Sequence, residues 1–144
     1  MNERPTRILV VDDDRDVRTL CRINLRAAGF DVIEAEGGRE AIETVEAEAP
    51  EAVVLDVMMP VVDGIEVLDT IRRDPVRHDL PVVLISARVG QEDQANGFEH
   101  GADAYVTKPF VPTDLAKTLG AVLEAGVEGR REHRERRIRE LANT

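Results

Sequence analysis

Short, almost wholly apolar runs alternate along the chain with longer stretches in which apolar residues recur every three or four positions. Arg7-Ile8-Leu9-Val10-Val11, Val53-Val54-Leu55 and Leu80–Ile85 have the continuous character of strands buried on both faces. Phe30–Ala35 and Ala104-Tyr105-Val106 are shorter runs of the same kind. Between them the spacing predicts amphipathic helices. The first carries Val17, Leu20, Cys21, Leu25 and Ala28 on one face and closes at Gly29. A second starts near Arg39, buries Ala41, Ile42 and Val45, and stops before Pro50. A third follows an Asp63-Gly64 turn with Ile65, Leu68 and Ile71 facing inward. The fourth, Glu92–His100, is the least apolar and is capped by Gly101. The fifth opens at Pro112 and runs through Leu115, Leu119, Val122 and Leu123.

Five strand–helix alternations in sequence predict an α/β domain: a doubly wound, five-stranded parallel sheet with helices on both faces. Polar residues with chemical potential then fall at the carboxyl ends of strands, where open α/β sheets bind ligands. Asp12 and Asp13 follow the first strand, Asp56 ends the third, Ser86 the fourth, and Lys108 follows the fifth. Three carboxylates converging on one crevice repel one another unless a cation intervenes, and an oxygen-only donor set suits Mg²⁺. Lys108 and Ser86 are suited to grip an anion instead. A carboxylate nucleophile between such groups is equipped to form an aspartyl phosphate. Taken singly each feature has an ordinary reading. A run of aspartates often just starts a helix, Lys-Pro often marks a surface turn, and a serine at a strand end is often a local cap.

Taken together they resemble a known family. Val10-Val11-Asp12-Asp13, Leu55-Asp56-Val57-Met58-Met59-Pro60 with Asp63-Gly64, Ser86-Ala87, and the run Gly101 to Phe110 (GADAYVTKPF) are similar to the receiver domains of two-component response regulators. The resemblance covers residues 6–124 and implies the flavodoxin-like strand order 2-1-3-4-5. It implies that Asp56 accepts a phosphoryl group from a sensor histidine kinase or a histidine phosphotransfer protein. Asp13, Asp56 and the backbone carbonyl of Met58 would be direct ligands of Mg²⁺ (or Mn²⁺), with Asp12 acting through a bound water. Lys108 would pair with Asp56 and then with the phosphate. Ser86 and Tyr105 would form the switch pair, Ala87 would leave the phosphate room, and the Lys108–Pro109 bond would be cis. A homodimer through the fourth helix, fifth strand and fifth helix is a further implication. The arginine that helps build this face in winged-helix relatives has no counterpart here, where Lys117, Thr118 and Gly120 occupy the neighbourhood.

Two rival readings remain. An aspartate-nucleophile phosphatase of the haloacid-dehalogenase type would want an acid two residues after the nucleophile, where this chain has Met58. A phosphorylation-independent interaction module would have no use for the full set of Asp12, Asp13, Asp56, Ser86 and Lys108. The expectation is a switch with slow self-hydrolysis and no turnover of an external substrate. Met58 and Arg88 beside the phosphate further suggest a long-lived phosphoryl group.

Composition changes this picture in one place. The 144-residue chain is 42% hydrophobic and 33% charged with a net charge of −10, which fits a globular body without a nucleic-acid footprint. Residues 127–144 run against that balance: six arginines and four glutamates give them +2, leaving −12 on residues 1–126. We divide the chain into a receiver domain (1–124) and an Arg/Glu-rich extension (125–144). The extension reads as a helical linker to an output element of unknown kind, as disorder, or as a basic arm. His78, His100 and His133 read as surface residues, and Cys21 as packing. No apolar run is long enough to cross a bilayer, and no leader pattern precedes Ile8, so the expected location is the cytoplasm.

Overall fold

The computed structural model describes residues 4–143. Five strands, β1 (Arg7–Val11), β2 (Asp31–Ala35), β3 (Ala52–Asp56), β4 (Val82–Ser86) and β5 (Ala104–Thr107), alternate with five helices. These are α1 (Arg15–Ala27), α2 (Gly38–Glu48), α3 (Gly64–Arg73), α4 (Gln91–Glu99) and α5 (Pro112–Ala142). The strands pair in parallel in the order β2-β1-β3-β4-β5. That order puts the chain reversal between β1 and β3, so Asp12 and Asp56 end neighbouring strands.

The central strands were legible because both faces are covered: β3 and β4 are buried at every position. On one face Leu9, Val11, Val53, Leu55 and Leu84 pack against Ala41 and Val45 of α2 and Val67, Leu68 and Ile71 of α3. On the other, Ile8, Val10, Val54, Val83 and Ile85 pack against Cys21 and Leu25 of α1 and Leu115, Leu119 and Val122 of α5.

Several sequence expectations need correction. The inward face of α1 is Val17, Cys21 and Leu25, joined by Arg18 rather than Leu20 or Ala28. Leu20 is 43% exposed, beside Lys108, Pro109 and Phe110, and Ala28 lies past the helix end. Arg18 is buried because its guanidinium donates to the Asp12 carbonyl (2.8 Å) and pairs with Glu34 (3.2 Å). Gly29 does close α1, at φ +98°. Phe30 falls just outside β2. The turn at Asp63 is the N-cap of α3: Asp63 accepts from the Glu66 amide, while Glu66 reaches back to the Asp63 amide.

The largest difference lies at the carboxyl end. Helix α5 does not stop near Leu123; it breaks at Gly126 (φ 71°, ψ 175°), and helical structure resumes through Ala142. Of the three readings offered for residues 125–144, the helical one holds for the described residues. The arginines are not simply solvated, since Arg130 is only 7% exposed.

Candidate functional site

At the carboxyl end of β1, Asp14 caps α1 by accepting from the Asp16 amide, while Asp12 Oδ1 accepts from the Asp14 amide at 2.9 Å. These local bonds turn Asp12 inward, where it has no exposed surface, and leave Asp13 exposed beside it. Asp56 ends β3 and is 3% exposed; the Met58 amide donates to its Oδ1 at 3.3 Å. Behind Asp56 the chain returns as Gly64, whose amide donates to the Val57 carbonyl at 2.9 Å. A Cβ on Gly64 would collide with the Asp56 carbonyl and stand 2.8 Å from Val57 Cα, so only glycine fits.

The carboxylates of Asp12, Asp13 and Asp56 each offer an oxygen, all within 4.8 Å of one another. This is the acidic cluster the strand-end pattern anticipates. Its donor set is all oxygen, with two members buried and one open to solvent, which fits a hard divalent cation that keeps part of its water. Lys108 reaches the cluster from beyond β5, with Nζ at 2.8 Å from Asp12 Oδ2 and 3.3 Å from Asp56 Oδ1. The Lys108–Pro109 peptide is cis.

Electrostatics follow from this crowding. Burial first, and then the Asp12 charge, push the Asp56 carboxyl up to about 6, while Lys108 and the Met58 amide pull against that rise. Burial alone would lower the Lys108 ammonium, but the hydrogen bond to Asp12 and the charges of Asp56 and Asp12 outweigh it and raise its pKa. Cys21, packed beneath, is pushed up to about 12 by burial and Asp12, so it is inert packing.

The remaining expected residues lie on or just after β3, β4 and β5. Ser86 is fully buried at the end of β4, and its Oγ accepts from the Arg88 amide at 3.1 Å. Its carbonyl accepts from the Lys108 amide at 2.8 Å, tying the β4 and β5 ends together. Tyr105 is half-buried; its hydroxyl donates to the Arg88 carbonyl at 2.8 Å. Met58 exposes its side chain, and the Arg88 guanidinium lies 3.4 Å from its sulfur and 3.6 Å from Asp93. A cleft of about 530 Å³ lined by Met58, Arg88, Asp93, Asn96 and Tyr105 borders the acidic cluster without being lined by its aspartates. Ala87 lies beside Lys108 in a separate recess with Val17 and Leu20.

Two residues that carry much of the framework were not singled out from the sequence. Arg18 braces the Asp12 carbonyl, and its only signal was a basic residue one position after Val17. Asp103 lies in the GADAYVTKPF run and is buried among three arginines at the opposite end of the sheet. Among the histidines, His78 pairs with Asp79 and His100 with Asp69, while His133 is not simply at the surface but packs edge-on against Phe98.

Comparison with known proteins points to one family. Residues 8–120 match the response regulator receiver domain family. The alkaline phosphatase synthesis transcriptional regulatory protein PhoP of Bacillus subtilis is 42% identical over 117 residues, covering 81% of this chain and 48% of that protein. The response regulator MprA of Mycolicibacterium vanbaalenii is 44% identical over 119 residues, covering 83% and 51%. The chain thus spans about half the length of the curated relatives it matches. Among solved structures, the chemotaxis protein CheY4 of Vibrio cholerae superposes with TM-score 0.78 at 30% identity, covering 82% of this chain and 98% of that one. The beryllofluoride-activated DrrB receiver domain gives TM-score 0.75 at 35% identity, covering 83% and 98%. With the strand order, the acidic cluster and the lysine in place, the chain belongs to the response regulator receiver domains of two-component signalling.

Proposed function

We propose that this domain is a phosphorylation-operated switch whose acceptor is Asp56. The observation that carries the reading is the position of Lys108, within hydrogen-bonding or ion-pairing reach of both Asp12 and Asp56 at the mouth of a three-carboxylate cluster. The donor is a phosphohistidine on a sensor histidine kinase or a histidine phosphotransfer protein. An Asp56 carboxylate oxygen attacks phosphorus, the P–N bond to the donor imidazole breaks, and the imidazole leaves with its electron pair and takes up a proton. A carboxyl titrating near 6 is mostly ionised at neutral pH and so available to attack.

Asp13, Asp56 and the Met58 carbonyl would hold Mg²⁺ or Mn²⁺, with Asp12 joined through water. When bound, the cation supplies charge neutralisation for the phosphoryl oxygens. Lys108 moves from pairing with Asp56 to pairing with the new phosphate, and Asp12 holds the ammonium in position meanwhile. Ser86 turns its hydroxyl from the Arg88 amide toward the phosphate, and Tyr105 gives up the Arg88 carbonyl. Both rearrangements bias a two-state equilibrium at the α4–β5–α5 edge.

The chemistry ends on the protein itself. Met58 offers no acid for turnover of an external ester. Its exposed thioether under Arg88 gives an attacking water no oxygen or nitrogen to lean on, so the phosphoryl group is long-lived. We place the receiver at 1–124, supported by the family match ending at residue 120 and the helix break at Gly126. Residues 125–144 form an Arg/Glu-rich extension or linker beyond it. The test is incubation with excess p-nitrophenyl phosphate and Mg²⁺: the switch releases nitrophenol no faster than its own phosphoryl group is lost, whereas release many times faster than that loss would make the protein a phosphatase.

A further inference from the structure

In residues 127–142 the buried or half-buried positions include Arg130, His133, Arg134, Arg137, Ile138 and Leu141. Their spacing traces one face of a helix, and arginines hold positions on it where apolar residues would be usual. Its counterpart is Asp103, which immediately precedes β5 and has no exposed side-chain surface. Arg130 reaches Asp103 Oδ2 at 3.1 Å and the Asp79 carbonyl at 2.8 Å, and Arg134 reaches Asp103 Oδ1 at 2.7 Å. One helical turn on, the His133 ring stands edge-on to Phe98 of α4 (6.1 Å between centroids), and the Arg137 guanidinium lies 5.7 Å from the Phe98 ring centre.

Gly126 makes this return possible. Its φ of 71° and ψ of 175° form a combination that other residues adopt only under strain. Nothing lies within 4 Å of where its Cβ would be, so glycine serves the backbone conformation there and not close packing. Departure of the segment would not strand Asp103, which keeps the Val82 amide (2.8 Å) and Arg72 (3.1 Å). An ionic face, a glycine hinge and a partner that stays satisfied describe a contact that can open and close.

The same helix that receives the segment also touches the switch tyrosine. At Gly97 of α4 a Cβ would stand 2.9 Å from Leu84 and 3.1 Å from the Tyr105 ring, and Phe98 is the next residue. A turn of the Tyr105 ring would therefore change the surface on which α4 rests, one residue from Phe98.

We propose that residues 127–142 form a strap that docks on the α4–β5 edge of its own domain through Arg130, Arg134 and Phe98, and that phosphorylation of Asp56 releases it. The strap and any second copy or output partner compete for that edge, and docking and phosphorylation oppose each other reciprocally. The release half of this proposal rests on the phosphoryl-acceptor reading of Asp56; the docking half does not.

Hydrogen exchange measured by mass spectrometry on the full chain separates them. Wild type is compared with the pair Arg130→Ala and Arg134→Ala and, separately, with Gly126→Ala, which disfavours the hinge conformation. The expected result is slow exchange over 127–142 in wild type and about tenfold or more faster exchange there in both variants, with β1 and β3 unchanged. Equal exchange in wild type and in the double variant overturns docking. Beryllofluoride with Mg²⁺ is expected to speed exchange over 127–142 in wild type while slowing it at 56–59. Slowing at 56–59 with no change in the strap overturns the coupling. If residues 56–59 do not respond at all, the acceptor reading fails, and docking stands or falls on the variants alone.

Discussion

The Lys108 ammonium lies 3.3 Å from Asp56, although the two residues belong to β5 and β3 ends with β4 between them. The contact closes because Asp12, a strand further on, also holds the ammonium, at 2.8 Å. Removing the lysine leaves two buried carboxylates facing each other. Lys108→Ala is expected to raise the Asp56 pKa further and to destabilise the metal-free domain by about 1–3 kcal/mol. Urea unfolding of the two proteins in EDTA measures this. The acceptor carboxylate remains, so the variant also separates the phosphate-gripping role of Lys108, read as a slower rise of phosphoprotein with acetyl phosphate.

Asp56 carries a pH signature of its own. Its carboxyl titrates near 6 when folded against 3.8 in a free side chain, so the folded state holds more protons between those values. Stability therefore falls as pH rises through that window, and the stabilisation survives only below it. In EDTA, Asp56→Asn is expected to become more stable than wild type by of order 1 kcal/mol at pH 7.5, with the gap shrinking toward pH 4. A gap that does not change with pH would refute the raised titration.

Gly64 tests the backbone behind the acceptor. Gly64→Ala drives a Cβ into the Asp56 carbonyl and the Val57 backbone, neither of which can move without disturbing β3. A loss of about 2 kcal/mol or more is expected in thermal or urea unfolding. Gly120→Ala, where nothing lies within 4 Å, is the control and is expected to be neutral or mildly stabilising.

These outcomes track how much of the molecule could be read from its residues. β1, β3 and β4 were plain because burial on both faces leaves no polar alternation to blur them. Asp12, Asp56, Ser86 and Lys108 could be grouped because strand ends in a parallel sheet converge. Leu20 misled because its spacing suits the core, yet α1 turns Arg18 inward to serve the Asp12 carbonyl, a tertiary demand invisible to periodicity. The extension could be read as helix, as disorder or as a basic arm, and in none of these as a docked helix. Arg130 and Arg134 look like a solvated face until Asp103, some thirty residues upstream in the chain, supplies the buried charge they answer.

The chemical environment at the rim predicts a slow loss of phosphate. With Met58 exposed at the cluster and Arg88 drawn to its sulfur, the phosphoprotein is expected to persist for minutes or longer after the donor is removed. Met58→Asn, which offers an amide to water, is expected to shorten that lifetime several-fold. Phosphoprotein gels sampled over time measure both, and a wild-type lifetime of seconds would contradict the proposal.

The most direct test of the central claim is the intact mass of the chain after incubation with acetyl phosphate, with and without Mg²⁺, in wild type and in Asp56→Asn. A single phosphoryl adduct that needs both Mg²⁺ and Asp56 is the predicted result. An adduct that survives Asp56→Asn, or no adduct under conditions where Mg²⁺ binding is demonstrated, would contradict it.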